Sequence, residues 1–156
     1  MATKPSPDGY HSVTPYIALK NAGDAIEFYK KAFGAKELFR MASPDGSIGH
    51  AEIKIGDSII MLAEEDPGMK FFSPETIGGS PGLLMIYTDN VDETFKRAIE
   101  NGATETRPVK DQFYGDRSGS LKDPFGHKWT IATHVEDVPE DEMKRRLEKV
   151  MSGTAG

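Results

Sequence analysis

A repeat with a spacing of 68 residues constrains the fold of this chain more than any other feature. Both copies place polar residues at the start of a helix and a Gly-Ala pair at its end. The matched positions are Asn21 with Asp89, Asp24 with Asp92, and Gly34-Ala35 with Gly102-Ala103. A unit of this length is too long for a solenoid repeat and too short for an independent domain. The sequence therefore predicts two half-domains that share one core, with a ligand cleft between them.

Each half has the hydrophobic pattern of one strand, one amphipathic helix and three further strands. In the first half we expect strands at 13–19, 36–41, 50–55 and 58–63, and a helix between Asn21 and Gly34. In the second half we expect strands at 83–88, 104–112, 117–122 and 128–134, and a helix that Asn90 caps and Gly102 ends. The fold class is therefore α+β, built from two βαβββ modules. The expected organisation is a single domain over 1–156, with a first module at 12–64, a linker at 65–82, a second module at 83–136 and a C-terminal helix at 139–151.

Composition excludes several classes of function. The net charge of −6 argues against nonspecific nucleic-acid binding, which needs a basic face. The absence of cysteine removes disulfides, thiolate metal sites and a cysteine nucleophile. No stretch approaches the roughly 18 apolar residues of a membrane span, and the N-terminus has no apolar signal region. We therefore expect a cytoplasmic protein that binds neither nucleic acid nor membranes.

Six short motifs occur in a specific order over residues 12–140. They are Thr14-Pro15-Tyr16, the run from Ala25 to Tyr29, Phe33-Gly34-Ala35, Gly49-His50-Ala51, Tyr114-Gly115-Asp116-Arg117, and the run from Asp123 to Trp129. With the repeated βαβββ pattern, this set resembles the vicinal oxygen chelate superfamily, which includes glyoxalase I, extradiol dioxygenases and bleomycin-binding proteins. The residues of these motifs are most similar to those of its PhnB-like branch. The resemblance implies two modules whose sheets form an open, cupped barrel around a ligand.

The resemblance also implies where a metal would bind, because metal-using members place His or Glu at four inward-facing strand positions. In this chain those positions fall at Thr14 or Pro15, Ile60 or Met61, Leu83, and Thr130. None of these side chains is a good ligand for a divalent cation that prefers imidazole or carboxylate. We therefore expect no metal at these positions and no cofactor.

The strongest candidates for residues of a binding or catalytic site are His50 and Glu52. Side chains alternate between the two faces of a strand. The packed face is expected to carry Ala51, Ile53 and Ile55, so His50 and Glu52 lie together on the other face. An imidazole beside a carboxylate can serve as a general base or as a hydrogen-bonding anchor. The alternative is a structural histidine bonded to the backbone or to Glu52.

Four further residues complete the expected ligand groove: Tyr114 and Arg117 at its rim, and Tyr87 and Phe72 as apolar walls. Arg117 has the geometry to hold an anionic group, and equally to form a structural ion pair with Asp116. The Phe71-Phe72 pair fits either a lid over the pocket or a seal between the halves. By alternation Trp129 shares a face with Ile131, which favours core packing over ligand stacking.

Two functions remain open at this point. The first is a metal-independent protein that binds a small organic molecule in the cleft between its modules. The second is a metal-dependent lyase, isomerase or dioxygenase of the same superfamily, which would need His50, Glu52 and a further ligand. We expect a homodimer, because exposed sheet edges are usually covered and two-fold pairing is the commonest closed assembly.

Overall fold

The computed structural model describes residues 3–153, which form two mixed four-stranded sheets and four α-helices. The strands are β1 (Tyr16–Leu19), β2 (Lys36–Ala42), β3 (Ile48–Ile55), β4 (Ser58–Glu64), β5 (Leu83–Tyr87), β6 (Thr104–Asp111), β7 (Asp116–Lys122) and β8 (Lys128–His134). The helices are α1 (Ala22–Phe33), α2 (Pro74–Ile77), α3 (Val91–Glu100) and α4 (Glu140–Met151). The predicted α+β class and the order of strands and long helices are confirmed. The two sheets do not close into a barrel.

The two sheets have the same topology. The N-terminal sheet has the strand order β1-β4-β3-β2, and the C-terminal sheet has the order β5-β8-β7-β6. In each sheet the first strand pairs in parallel with the fourth, and the other neighbours are antiparallel. The helix after the first strand supplies the crossover that a parallel pair requires. Consequently β1 and β5 each form one edge of their own sheet.

Asparagine caps define the start of both long helices. The side chain of Asn21 accepts a hydrogen bond from Asp24 N, and that of Asn90 accepts one from Glu93 N. These contacts satisfy backbone donors that have no partner within the helix. The structural equivalent of Asn21 is therefore Asn90, 69 residues later, rather than Asp89.

A single core joins the two modules through helix α1. Tyr29 and Phe33 of α1 lie against Trp129 of β8, with ring centroids 5.4 and 4.9 Å apart. Arg97 of α3 donates a hydrogen bond from Nε to the carbonyl of Ala32 at 3.0 Å. Trp129 is 1% exposed, which confirms the prediction that it packs in the core.

Two local predictions need correction. β1 begins at Tyr16 rather than at residue 13, because Pro15 has no N–H to donate to a sheet. The segment 65–82 is partly helical: Asp66 caps a 3₁₀ turn at Pro67–Met69, and Ser73 caps α2. In the C-terminal module, His127 is half-buried, and its Nε2 lies 2.8 Å from the carbonyl oxygen of Ala18 in β1.

Helix α4 packs on the body of the protein through Arg146. Its guanidinium binds Glu136 at 2.7 Å and donates to the carbonyl oxygen of Phe113 at 3.2 Å. These contacts hold the helix next to the turn between β6 and β7. Across residues 3–153, no helix has the length and apolar character needed to cross a membrane.

Candidate functional site

Each sheet has one face packed against the long helices and one open face, which turns away from α1 and α3. On β3, Ala51 and Ile53 are fully buried on the packed face, while His50 and Glu52 point to the open face. The side chains of His50 and Glu52 are 23% and 18% exposed. The strand alternation seen in the sequence therefore placed both residues on the correct face.

A row of four side chains crosses the open face of the N-terminal sheet. Cross-strand pairing aligns Tyr16 of β1 with Met61 of β4, Met61 with Glu52 of β3, and Glu52 with Phe39 of β2. Paired residues project to the same side of a sheet, so these four form one continuous surface. The row ends at Tyr16 on the edge strand β1, and sequence reasoning did not assign this residue to the site.

Four polar side chains form a hydrogen-bonded chain on this surface. The hydroxyl of Tyr16 lies 2.8 Å from Nδ1 of His50, and Nε2 of His50 lies 3.1 Å from Oε1 of Glu52. The hydroxyl of Tyr10 donates to the other carboxylate oxygen of Glu52. A carboxylate beside Nε2 favours the proton on that nitrogen, which leaves Nδ1 to accept the Tyr16 hydroxyl. The chain therefore fixes the tautomer of His50.

The pKa shifts in this chain favour neutral phenols and an ionised carboxylate. Hydrogen bonds from Tyr10 and His50 lower the pKa of Glu52 below 4.5. The hydrogen bond to Glu52 raises the pKa of Tyr10 to about 12, and partial burial together with the Glu52 charge raises the pKa of Tyr16. At neutral pH both phenols keep their protons. They are hydrogen-bonding groups and not activated nucleophiles.

Three cavities surround the edge strands β1 and β5. A cavity of 490 Å³ and another of 360 Å³ both touch Pro15 and Leu84, so they lie along the seam between the two sheets. The third, of 620 Å³, belongs to the N-terminal module. Tyr16 and Phe71, in edge-on contact with centroids 5.4 Å apart, line both the second and the third cavity.

A matching row crosses the open face of the C-terminal sheet. Pairing aligns Met85 of β5 with Thr130 of β8, Thr130 with Ser120 of β7, and Ser120 with Arg107 of β6. Met85 also lines the 490 Å³ cavity at the seam. Arg107 did not stand out in the sequence, because β6 has two irregularities in its pairing that break the alternation.

Two further predicted site residues, Tyr87 and Phe72, line different cavities. Tyr87 is 61% exposed, lines the 490 Å³ cavity and donates to Asp116 at 2.9 Å. This bond is the main cause of its raised pKa, and the neighbouring Tyr114 adds to it. Phe72 lines the 360 Å³ cavity.

Arg117 lies on the opposite, helix-facing side of β7. Its guanidinium binds Asp92 of α3 through two bonds of 2.8 Å, and Asp111 through a third of 3.1 Å. The ion pair expected with Asp116 does not form, because successive strand residues point to opposite faces. These contacts engage Arg117 in ion pairs on the side of β7 away from the open face.

The donor set does not fit the metal centre of metal-using relatives. The rows end at the seam with Tyr16 and Met85, which pair with Met61 and Thr130 on the neighbouring strands. The expected ligand positions Thr14 and Leu83 lie two residues from Tyr16 and Met85. These residues offer no imidazole and no carboxylate. Within the described part of the chain, no three His, Asp or Glu side chains cluster in a way that could hold a metal ion.

Sequence comparison identifies the family. Residues 10–131 match the model of the glyoxalase/bleomycin resistance protein/dioxygenase superfamily. The chain belongs to this superfamily. The predicted superfamily is thereby confirmed, and the assignment to its PhnB-like branch stays a prediction.

Similar proteins match this superfamily member over most of its length. An uncharacterized protein of Mycobacterium bovis is 37% identical over 139 residues, covering 87% of this chain and 91% of the relative. TioX from Micromonospora sp. ML1 has a TM-score of 0.63 at 22% identity, covering 83% of this chain and all of TioX. The fosfomycin resistance protein FosX from Listeria monocytogenes, complexed with Mn(II) and a dihydroxypropylphosphonic acid, has a TM-score of 0.60 at 19% identity, covering 85% and 94% of the two chains. At these identities the two structural similarities establish the fold alone.

Proposed function

We propose that this protein binds a small organic molecule between its two modules without a metal ion. The observation that carries the proposal is the position of Tyr16. Its side chain lines the 360 Å³ cavity at the seam between the modules and also the 620 Å³ cavity, and its hydroxyl is held by His50 at 2.8 Å. A pocket with mostly apolar walls and a few oriented polar groups is the usual form of a small-molecule site.

The expected ligand contacts divide into polar and apolar groups. His50 orients the Tyr16 hydroxyl, and Glu52 holds His50 in one tautomer. Phe71 and Phe72 supply apolar walls at the 360 Å³ cavity, and Tyr87 does so at the 490 Å³ cavity. This assignment retains His50, Glu52, Phe72 and Tyr87 from the sequence and adds Tyr16. It leaves out Arg117 and also Tyr114, which lies in the turn between β6 and β7 in edge-on contact with Phe113.

A metal-dependent lyase, isomerase or dioxygenase is the second candidate, because FosX has this fold and was crystallised with Mn(II). In this chain such a site would start from His50 and Glu52 and would need a third ligand. The nearest oxygens are the phenols of Tyr10 and Tyr16, whose raised pKa values keep them neutral and therefore poor ligands. The geometry thus favours binding over metal catalysis.

A thermal-shift screen on chelator-treated protein tests the proposal, since a ligand that binds the native state raises the melting temperature. Hits should shift wild-type protein, and Tyr16→Phe should weaken them. Tyr10→Phe is the matched control, because Tyr10 belongs to the same hydrogen-bonded chain, through Glu52, but is not among the residues that line the three cavities. Hits that require added divalent metal would favour the second candidate instead.

We also propose that two copies of the chain form a homodimer. The edge strand β2 exposes three large apolar side chains: Leu38, Phe39 and Met41. Unpaired strand edges and apolar patches of this kind are usually covered by another surface. A cytoplasmic location stays a prediction from the absence of cysteine.

A further inference from the structure

Among the described residues 3–153, Arg107 differs from the other arginines in having no anionic partner. The sequence contains six arginines. Within residues 3–153, five of them have a carboxylate oxygen within 4.0 Å: Arg40, Arg97, Arg117, Arg145 and Arg146. Arg107, half-buried on the open face of the C-terminal sheet, has none in the same region.

The guanidinium of Arg107 is also incompletely hydrogen-bonded. Among the described residues, its Nε is the one buried side-chain nitrogen or oxygen without a hydrogen-bond partner. Nη2 makes one long contact, 3.4 Å, to the hydroxyl of Ser118. Leaving a buried polar donor unpaired is unfavourable, and more so when the group is charged. The Nε–H group of Arg107 therefore lacks a hydrogen-bond acceptor among the described residues.

Hydroxyl groups surround this cation on the same face. Ser120 pairs directly with Arg107 across the strands, and its hydroxyl lies 2.9 Å from that of Thr130. Ser118 is fully buried below the guanidinium. A guanidinium beside hydroxyl donors suits a carboxylate or phosphate, because each oxygen of such a group accepts several hydrogen bonds.

The charge of this face also favours an anionic ligand, although the whole chain carries a net charge of −6. Strand pairing places Lys110, Lys122 and Lys128 on the same face as Arg107. The buried carboxylate of Asp116 on this face is already engaged by Tyr87 and His134, at 2.9 and 2.8 Å. The open face of the C-terminal sheet is thus locally cationic, which concentrates anions there.

We propose that Arg107, with the Ser120 hydroxyl, forms a subsite for the anionic group of the ligand, a carboxylate or a phosphate. Rotation of the Arg107 side chain on binding would replace an unpaired Nε–H with a two-pronged bond to the anion. The inference rests on the proposed small-molecule function and defines its ligand class. Arg107 on β6 and Met85 on β5 are separated by three strand spacings of about 4.8 Å. A ligand that fills both this subsite and the seam therefore has to bridge a backbone separation on the order of 14 Å.

Benzoate and benzamide form a matched pair of probes, because they differ mainly in charge. We expect wild-type protein to bind benzoate at least about tenfold more tightly than benzamide at constant ionic strength, since charge-assisted hydrogen bonds are roughly twice as strong as neutral ones. Chemical-shift titration should show the benzoate response at the amides of Ser118 and Ser120. Arg107→Gln should bring the two affinities within about twofold, and Arg107→Lys should fall between, because lysine keeps the charge and loses the fork.

Arg117→Gln is the matched control, because Arg117 lies on the other face of the same sheet and should leave the preference for benzoate unchanged. In the absence of ligand, Arg107→Met should unfold at the same or a higher temperature, because it removes a cation without a partner. Three results would overturn the subsite: equal affinities for the two probes, a preference that survives Arg107→Gln, or no benzoate response at Ser118 and Ser120. Benzamide shifts at Met85 and Tyr87 that persist in Arg107→Gln would show that the cleft binds molecules even if the anion subsite fails.

Discussion

The hydroxyl of Tyr29 donates a hydrogen bond of 2.7 Å to Oδ2 of Asp123, which lies 94 residues further along the chain. Asp123 is 2% exposed and also accepts from Trp129 Nε1 and from the backbone N–H groups of Phe125 and His127, each at 2.9 Å. Four donors thus compensate for the burial of one carboxylate. The bond from Tyr29 ties helix α1 of the first module to the β7–β8 turn of the second.

This contact predicts that the two modules depend on Asp123 for their stability. Tyr29→Phe should lower the free energy of unfolding by about 1.5–3 kcal/mol, because it removes one bond to a buried charge. Asp123→Ala should cost more, since it leaves Trp129 Nε1 and two backbone donors without partners. Denaturant titration measures both changes, and Tyr114→Phe, at a half-buried position in the turn between β6 and β7, serves as the control. A negligible loss in both variants would contradict the described core.

The lowered pKa of Glu52 predicts a pH-dependent contribution to stability. A carboxyl whose folded pKa is depressed stabilises the protein above its unfolded value of 4.5, and this stabilisation is lost as the pH falls through the folded value. Wild type should exceed Glu52→Gln by about 1 kcal/mol at neutral pH, and the gap should close in acid. Urea titrations across this range provide the measurement. Glu148→Gln, at an exposed position on α4, should show no such gap.

Tyr10 should titrate unusually late. Its hydrogen bond to Glu52 raises its pKa to about 12, so it should ionise well after an ordinary phenol. Tyr29 should also ionise late, because burial and the Asp123 carboxylate raise its pKa well above the usual value. In an absorbance titration, Tyr10→Phe should therefore remove one phenol from the late component and leave that of Tyr29, and Glu52→Gln should move the contribution of Tyr10 earlier. If Glu52→Gln left the late component unchanged, the hydrogen bond to Glu52 would not be the cause of the late titration of Tyr10.

Gly119 should tolerate no side chain, because helix α3 packs directly on β7 at this position. A Cβ there would lie 2.9 Å from Cε2 of Phe95 and 2.8 Å from Cγ2 of Val109. Gly119→Ala should therefore destabilise by about 1–3 kcal/mol, the usual cost of overpacking a core. Gly49→Ala is the matched control, since a Cβ at Gly49 meets no atom within 4 Å. Thermal and denaturant unfolding of both variants would reveal the difference.

The homodimer predicts a mass of twice 17.1 kDa by light scattering at micromolar concentration. Leu38→Lys should shift the protein towards a monomer, because it places a charge on the exposed edge strand β2. Leu147→Lys, on the exposed side of α4, should leave the mass unchanged. A monomeric wild type would argue against the assembly.

Part of the site could be predicted from local sequence pattern. The alternation in β3 placed His50 and Glu52 on the open face, because a strand has a period of two and Ala51 and Ile53 occupy the packed face. The same rule could have corrected Arg117. It lies two and four residues from Gly119 and Leu121, both of which pack against the helices, so its side chain shares their face.

Contacts distant in sequence could not be predicted in this way. Tyr16 and His50 are 34 residues apart, and their bond depends on the strand order β1-β4-β3, which only tertiary packing sets. Arg107 follows an irregularity in the pairing of β6, where alternation no longer indicates which face a residue occupies. Its lack of a counterion among residues 3–153 is likewise a property of the folded chain.

Chemical-shift mapping on chelator-treated protein, with the strongest hit of the thermal-shift screen, tests the central claim most directly. We predict that the perturbed amides cluster at Tyr16, Phe71 and His50 and along the seam at Leu84, and that added divalent metal leaves the affinity unchanged. Perturbations confined to the outer surfaces of α1 and α3, or binding that appears only when metal is added, would contradict a metal-independent ligand site between the two modules.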